Sequence, residues 1–313
     1  MELRSLGRSD LRVSVVGLGC NNFGRLDVEA SRKVVDRALD LGITLLDTAD
    51  VYGDRGGSET QLGEILGPRR KQIVLATKFG MPMDDAGEKK GASRRYIMEA
   101  VEASLKRLKT DWIDLYQLHQ PDPATPLEET LGALDDLVQA GKVRHIGCSN
   151  LSAAQVAEAA EISRNEQWPA FVSSQDEYSL LVRGIERELV PELERQHMGL
   201  LPYFPLASGL LTGKYKRNEQ APAGTRMAEM KRLADRYMTD ENWNKAEKLE
   251  AFCAARGHTM LELAFSWLAS RPCLTSIIAG ATLPEQVEQN VQALNWKLCS
   301  ADIAEIDAIM GKT

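Results

Sequence analysis

Asp47, Tyr52, Lys78 and His119 are residues whose types and spacing suit one piece of chemistry, the delivery of a proton to a carbonyl oxygen. Three of them follow apolar runs: Asp47 after Ile43, Leu45 and Leu46, Lys78 after Ile73-Val74-Leu75-Ala76, and His119 after Leu115-Tyr116-Gln117-Leu118. Any one alone reads as a rim residue reaching solvent, because charged side chains are seldom buried. Three on successive runs, with a phenol one loop turn beyond the first, read as a set. Hydride addition to a carbonyl leaves charge on oxygen, so a proton donor has to stand beside it. A free phenol has a pKa of about 10, and a lysine ammonium within about 4–6 Å lowers it by roughly 1–3 pH units. Tyr52 is the expected donor, Lys78 the source of the positive field and Asp47 the group that holds Lys78. His119 is expected to orient the carbonyl oxygen or to take part in relaying the proton. Hydride itself has to come from a cofactor, since no side chain donates it.

Such a set needs a scaffold that brings several strand ends together. Short β-prone segments alternate with amphipathic stretches along the chain, the pattern of repeated βα units. The strands are expected at Val15–Gly19, Thr44–Asp47, Ile73–Lys78, Ile113–His119, Val143–Ser149, Val172–Glu177, Leu200–Phe204 and Ser276–Ala279. Helical periodicity marks Val28–Leu41, Arg94–Leu108, Leu127–Ala140, Glu186–Gln196 and Leu261–Ser270. Eight such units predict an α/β fold, a (β/α)8 TIM barrel formed by residues 1–313 as a single domain, with its active site at the carboxyl ends of the strands. Met1–Val13 is expected to form a hairpin across the barrel's lower end. Glu241–Ala255 and Ala301–Met310 predict two extra helices. The stretch Ser208–Thr239 is too long for an ordinary connection and reads as a lid over an anionic ligand. Gln61–Lys71 and Glu88–Arg95 are charge-rich and read as solvated surface.

Composition narrows the function classes. A net charge of −7 argues against a nucleic-acid partner. No apolar run is long enough to suggest a membrane partner. Five scattered cysteines without C-x-x-C spacing suit neither a disulfide framework nor zinc, and with four histidines no metal site is expected. These features, with an amino terminus unlike a signal peptide, make a cytoplasmic protein the expectation. Gly17 and Gly19 fail the dinucleotide fingerprint, because Asn22 stands where its third glycine belongs, and read instead as close-packing positions at the end of the first barrel strand.

In combination, Asp47-Thr48-Ala49-Asp50-Val51-Tyr52-Gly53, Asp114-Leu115-Tyr116-Gln117-Leu118-His119 and Gly147-Cys148-Ser149-Asn150 resemble the aldo-keto reductase superfamily, and the resemblance covers nearly the whole chain. It implies that Asp47, Tyr52, Lys78 and His119 form the catalytic tetrad. It further implies that Ser149, Asn150 and Gln175 hold the nicotinamide carboxamide and that Tyr203 stacks on the ring. On the residues alone, Ser149-Asn150 equally suits a turn or helix cap before Ser152. Leu206, Ser208, Leu210 and Lys214 resemble the pyrophosphate-wrapping loop, where backbone amides and an ammonium suit an anion. Gly280, Thr282, Gln286 and Asn290 resemble the adenosine-phosphate site, beside a helix expected from Glu285 to Leu294. Arg226 resembles an arginine placed over the 2′-phosphate, and its bland alternative is a solvated lid residue. NADPH is therefore the expected cofactor, with NADH possible, and a small-molecule carbonyl compound the expected substrate. The same tetrad serves an aldose or alcohol dehydrogenase running oxidatively. It is also present in cofactor-binding regulatory subunits resembling potassium-channel β subunits, which the lack of a long N-terminal extension disfavours.

Overall fold

The computed structural model describes residues 1–311. An antiparallel hairpin, β1 (Leu3–Ser5) and β2 (Arg12–Ser14), precedes eight parallel strands: β3 (Val16–Gly19), β4 (Leu45–Asp47), β5 (Val74–Phe79), β6 (Ile113–Leu118), β7 (Val143–Ser149), β8 (Ser173–Gln175), β9 (Gly199–Leu200) and β10 (Ile277–Gly280). Their spatial order follows the chain from β3 to β9, and β10 pairs with β3. The ring closes through a parallel bridge between Leu200 and Leu274, with Ile278 N donating to Pro202 O at 3.0 Å. The expected barrel is present.

Every residue of β5 and of β6 is buried, as strands covered on both faces must be. One face packs inside the barrel and the other meets the helices α1 (Val28–Asp40), α2 (Tyr52–Leu66), α3 (Arg94–Leu108), α4 (Leu127–Gln139), α5 (Ala153–Glu166), α6 (Leu189–Arg195), α10 (Met260–Ala269) and α11 (Pro284–Gln292). Local chemistry starts several of these helices. Asp27 and Ser93 cap α1 and α3 by accepting from Ala30 N and Tyr96 N, and capping boxes of Ser152 with Gln155 and Thr259 with Glu262 start α5 and α10. Ser152 is thus the helix cap, and Ser149-Asn150 precedes it at the end of β7. The hairpin buries Leu6, Leu11 and Val13 against Leu45, Val74 and Leu115 at the amino-terminal end of the barrel. Burial on this scale contributes about 1.5–3 kcal/mol for each large apolar side chain. With one end plugged, the carboxyl ends of the strands are the open face.

Strand ends differ from the sequence expectation. β8 covers only Ser173–Gln175 and β9 only Gly199–Leu200. Beyond them the two segments pair again at the Glu177–Tyr203 bridge, with Tyr203 N donating to Asp176 O at 3.0 Å. The expected extra helices are α9 (Asp240–Ala254) and α12 (Ser300–Ile309), and the long segment adds two short ones, α7 (Arg226–Glu229) and α8 (Lys231–Tyr237). Gln61–Lys71 is not simply solvated surface: Leu62, Ile65, Leu66 and Arg70 are buried. Charged residues on one face of α2 masked the apolar face on the other.

Candidate active site

Gly24 and Gly53 let two loops meet at the barrel mouth. A Cβ on Gly53 would lie 2.4 Å from Phe23 O, and one on Gly24 would lie 2.6 Å from Gly53 Cα. Both residues have positive φ, which glycine adopts without steric cost. The β3–α1 loop thus presses on the turn that opens α2 with Tyr52. Gly17 also proves to be a close-packing position, since a Cβ there would lie 2.9 Å from Ser276 Oγ.

Asp47, Tyr52, Lys78 and His119 converge at this face. Lys78 is fully buried and its Nζ donates to Asp47 Oδ2 at 2.7 Å, to Thr48 O at 2.9 Å and to Tyr52 OH at 3.4 Å. The Tyr52 and His119 rings meet edge to face with centroids 5.6 Å apart. Asp47 Oδ1 accepts from Gln175 Nε2 at 2.9 Å and Gln117 Nε2 at 3.3 Å, so three donors hold this carboxylate. Gln117 is not among the site residues expected from the sequence. Its signal is a polar residue inside an apolar run, in register with Lys78 across the β5–β6 pair.

The electrostatics differ from the expectation in one respect. Burial raises the Tyr52 phenol above its ordinary pKa, and the Lys78 charge opposes this without outweighing it. Burial pulls Lys78 down, while the neighbouring Asp47 and Tyr52 charges together carry it above its usual value. His119 is pushed down to about 3, by burial first and then by Lys78. At neutral pH the phenol keeps its proton, Lys78 is cationic and His119 is neutral. The His119 Nδ1 is buried without a hydrogen-bond partner.

The residues matched to the nicotinamide cradle lie beside this group. Ser149 Oγ donates to Gln175 O at 2.6 Å. Asn150, at φ +61°, donates from Nδ2 to Ser149 Oγ and His119 O, and its Oδ1 accepts from Tyr203 OH at 2.8 Å. Asp176 Oδ1 receives the Asn150 backbone N–H at 3.2 Å, a contact that the sequence did not suggest.

Leu206, Ser208, Leu210 and Lys214 fall on one tight segment. Phe204, Ala207, Ser208 and Gly209 all have positive φ, and Ser208 Oγ is buried without a partner. The Leu210 side chain is in the core, so the loop offers backbone there, while Lys214 is exposed above the Tyr215 ring. Tyr215 OH is likewise buried and unpaired. Arg226 is partly buried, with its guanidinium 5.7 Å from the Phe204 ring centroid and its Nη2 donating to Asn22 Oδ1 at 3.0 Å. Among the described residues no carboxylate pairs with it. Asn22 Nδ2 reaches Ala281 O at 3.4 Å, linking Arg226 to the segment where Gln286 Oε1 accepts from Thr282 N at 2.8 Å. Gly280 is exposed there and Asn290 is buried on α11. Orphaned hydroxyls on Ser208 and Tyr215, with a guanidinium that has no carboxylate partner among the described residues, suit an anionic, extended dinucleotide. Among the described residues no three His, Cys, Asp or Glu come together as a metal-ligand set, and no helix is long and apolar enough to cross a membrane.

A family model described as Aldo/keto reductase family matches residues 15–310. The chain is 34% identical to the L-glyceraldehyde 3-phosphate reductase of Escherichia coli (strain K12), over 98% of this chain and 92% of that protein. It is 36% identical to a probable voltage-gated potassium channel subunit beta of Oryza sativa subsp. japonica, over 94% and 92%. It is also 36% identical to an uncharacterized oxidoreductase of Bacillus subtilis (strain 168), over 100% and 97%. With a barrel whose strand ends gather a buried lysine, a phenol and a neutral imidazole, and with a match over nearly its whole length, this chain belongs to the aldo/keto reductase family.

Proposed function

We propose that the protein reduces the carbonyl group of small aldehydes or ketones with NADPH, using Tyr52 as the general acid. The observation that carries this reading is the Asp47–Lys78–Tyr52 chain of contacts beside a neutral His119. Reduced nicotinamide supplies the hydride when bound. His119 donates an N–H to the carbonyl oxygen and orients it. As charge grows on that oxygen, the Tyr52 O–H proton transfers to it, and the Lys78 ammonium stabilises the phenolate left behind. Asp47, held by three donors, keeps the ammonium beside the phenol. Burial of the phenol ensures that the proton is present at neutral pH.

Ser149, Asn150 and the free end of the Gln175 amide serve the carboxamide, and Tyr203 packs on the ring. The Ser208–Lys214 segment takes the pyrophosphate, while Arg226, Thr282 and Gln286 with Asn290 take the adenosine phosphate. Arg226 has donors to spare, and a guanidinium suits a phosphate bidentately. One relative is named for a phosphorylated aldehyde, so glyceraldehyde 3-phosphate belongs in the substrate panel. Loss of NADPH absorbance with that panel tests the reading, and turnover that depends on Tyr52 is the expected result. Tight NADPH binding without oxidation by any carbonyl compound would overturn it in favour of a cofactor-binding subunit.

A further inference from the structure

Behind the strand that carries Lys78 lies a second polar cluster, outside the barrel. Alternation along β5 turns Lys78 inward and Thr77 outward, where Thr77 Oγ1 donates to Glu59 Oε1 at 2.5 Å. Glu59, on α2, is fully buried and also accepts from Arg107 Nε of α3 at 2.7 Å. Asp50 faces the same cluster from the connection between Asp47 and Tyr52, and its backbone N–H donates to Lys78 O at 3.1 Å. Its side chain is buried. Among the described residues Oδ1 has no hydrogen-bond partner, Oδ2 accepts from Tyr96 OH at a long 3.5 Å, and the adjacent Val51 backbone N–H also acts on the carboxyl.

We propose that Asp50 is a positioning residue that works as the neutral acid: protonated, it seats the Asp47–Tyr52 connection beside Lys78, and loss of its proton ends reduction on the alkaline side. This rests on Tyr52 being the proton donor. Pairing within the cluster supports the neutral form. Two carboxyl groups, Asp50 and Glu59, face one guanidinium, Arg107, which is bonded to Glu59. The remaining nearby cation is Lys78, and its ammonium is taken by Asp47. Tyr96 of α3 and Tyr116 of β6 complete the surroundings, and the Tyr116 OH is itself buried and unpaired. Asp84, in the loop after β5, acts on Tyr96 from outside. A buried carboxylate without a cation of its own is strongly disfavoured, so the group keeps its proton instead. Burial, reinforced by Glu59, accordingly pushes the Asp50 carboxyl up to about 8.

Ionising Asp50 places a charge that raises the Tyr52 phenol further, weakening it as an acid. It also puts an uncompensated charge into a connection that β5 holds by hydrogen bonds from Thr48 N to Ala76 O, from Asp50 N to Lys78 O and from Lys78 Nζ to Thr48 O. The turnover number therefore falls as pH rises through the range where Asp50 titrates, well before Tyr52 loses its proton.

Infrared difference spectroscopy of wild type minus D50N, without cofactor, tests the protonation. The expected result is the C=O stretch of a protonated carboxylic acid at neutral pH, fading as pH is raised through about 8. Absence of that band at neutral pH overturns the proposal. The positioning role is read from kcat against pH: the wild-type basic limb near pH 8 is expected to vanish in D50N, which cannot ionise. An identical limb in both overturns that role. Should the wild type reduce no carbonyl compound, the functional reading fails separately. The phenol titration, read as absorbance of each background minus its Tyr52→Phe partner, then decides. Tyr52 is expected to ionise at lower pH in D50N than in wild type, and an unchanged titration overturns the proposal.

Discussion

Lys78 Nζ lies 2.7 Å from Asp47 Oδ2 on the neighbouring strand, and both side chains are closed to solvent. Breaking a buried pair by removing one partner costs about 3–5 kcal/mol, because the other charge is left uncompensated. Lys78→Met is therefore expected to lower the urea midpoint substantially as well as to abolish most turnover. The double variant Lys78→Met/Asp47→Leu removes both charges and is expected to regain much of that stability while staying inactive. Equal stability of the single variant and wild type would show that the pair does not matter to the fold.

Tyr52→Phe removes only the phenolic oxygen, at the edge of the Lys78 contacts. Loss of a general acid costs about 10²–10⁴ in rate. The variant should lose turnover by that factor while binding NADPH as wild type does, measured by quenching of tryptophan fluorescence. Reduction at the wild-type rate would remove Tyr52 from the role of donor.

On the proposed reading, Arg226 and Asn150 serve opposite ends of the dinucleotide, so substitutions there distinguish them. A charge-assisted hydrogen bond is worth about 1.5–3 kcal/mol, so Arg226→Ala should raise the NADPH dissociation constant roughly ten- to a hundredfold and leave NADH nearly unchanged. Asn150→Ala, which removes the bridge to Ser149, His119 and Tyr203, should weaken both cofactors alike. Equal weakening of NADPH and NADH in Arg226→Ala would take that arginine away from the 2′-phosphate.

Stability should also depend on pH in a way that D50N isolates. With its carboxyl at about 8 in the fold against an ordinary 3.8, Asp50 binds one more proton folded than unfolded across that interval. Its contribution to stability therefore falls as pH rises, by up to about 1.4 kcal/mol per pH unit, and levels off above about 8. His119 acts oppositely. Pushed down to about 3, it adds stability with rising pH until its ordinary 6.5 is passed. Asp176, pushed up to about 6 by burial, adds a loss confined below that pH. Between pH 6.5 and 8 the Asp50 loss stands by itself, so wild-type urea midpoints should decline there and those of D50N should not. Parallel declines would place the titrating group elsewhere.

Much of this protein was legible in the sequence because period and chemistry are local properties. The apolar runs that end in Asp47, Lys78 and His119 mark strands, and parallel strands must bring their carboxyl ends to one face. That expectation covers Asp47, Lys78 and His119; Tyr52, on the loop beyond Asp47, joins them through the chemistry of proton donation and the family resemblance. Helix caps such as Ser93 and the box of Ser152 with Gln155 are likewise written within a few residues. Tertiary structure decided what depends on segments far apart in the chain. The sign of the Tyr52 shift is set by desolvation, opposed by the Lys78 ammonium and reinforced by the Asp47 and Asp50 charges, and desolvation is a sum over whatever packs around the phenol. The partners of Arg226, namely Asn22 and Phe204, come from loops after different strands. Asp50 reads in the sequence as one more acidic residue in a motif. Only packing of α2, α3 and β6 around it puts Glu59, Arg107, Tyr96 and Tyr116 at its side, and burial there turns an ordinary carboxylate into a neutral acid.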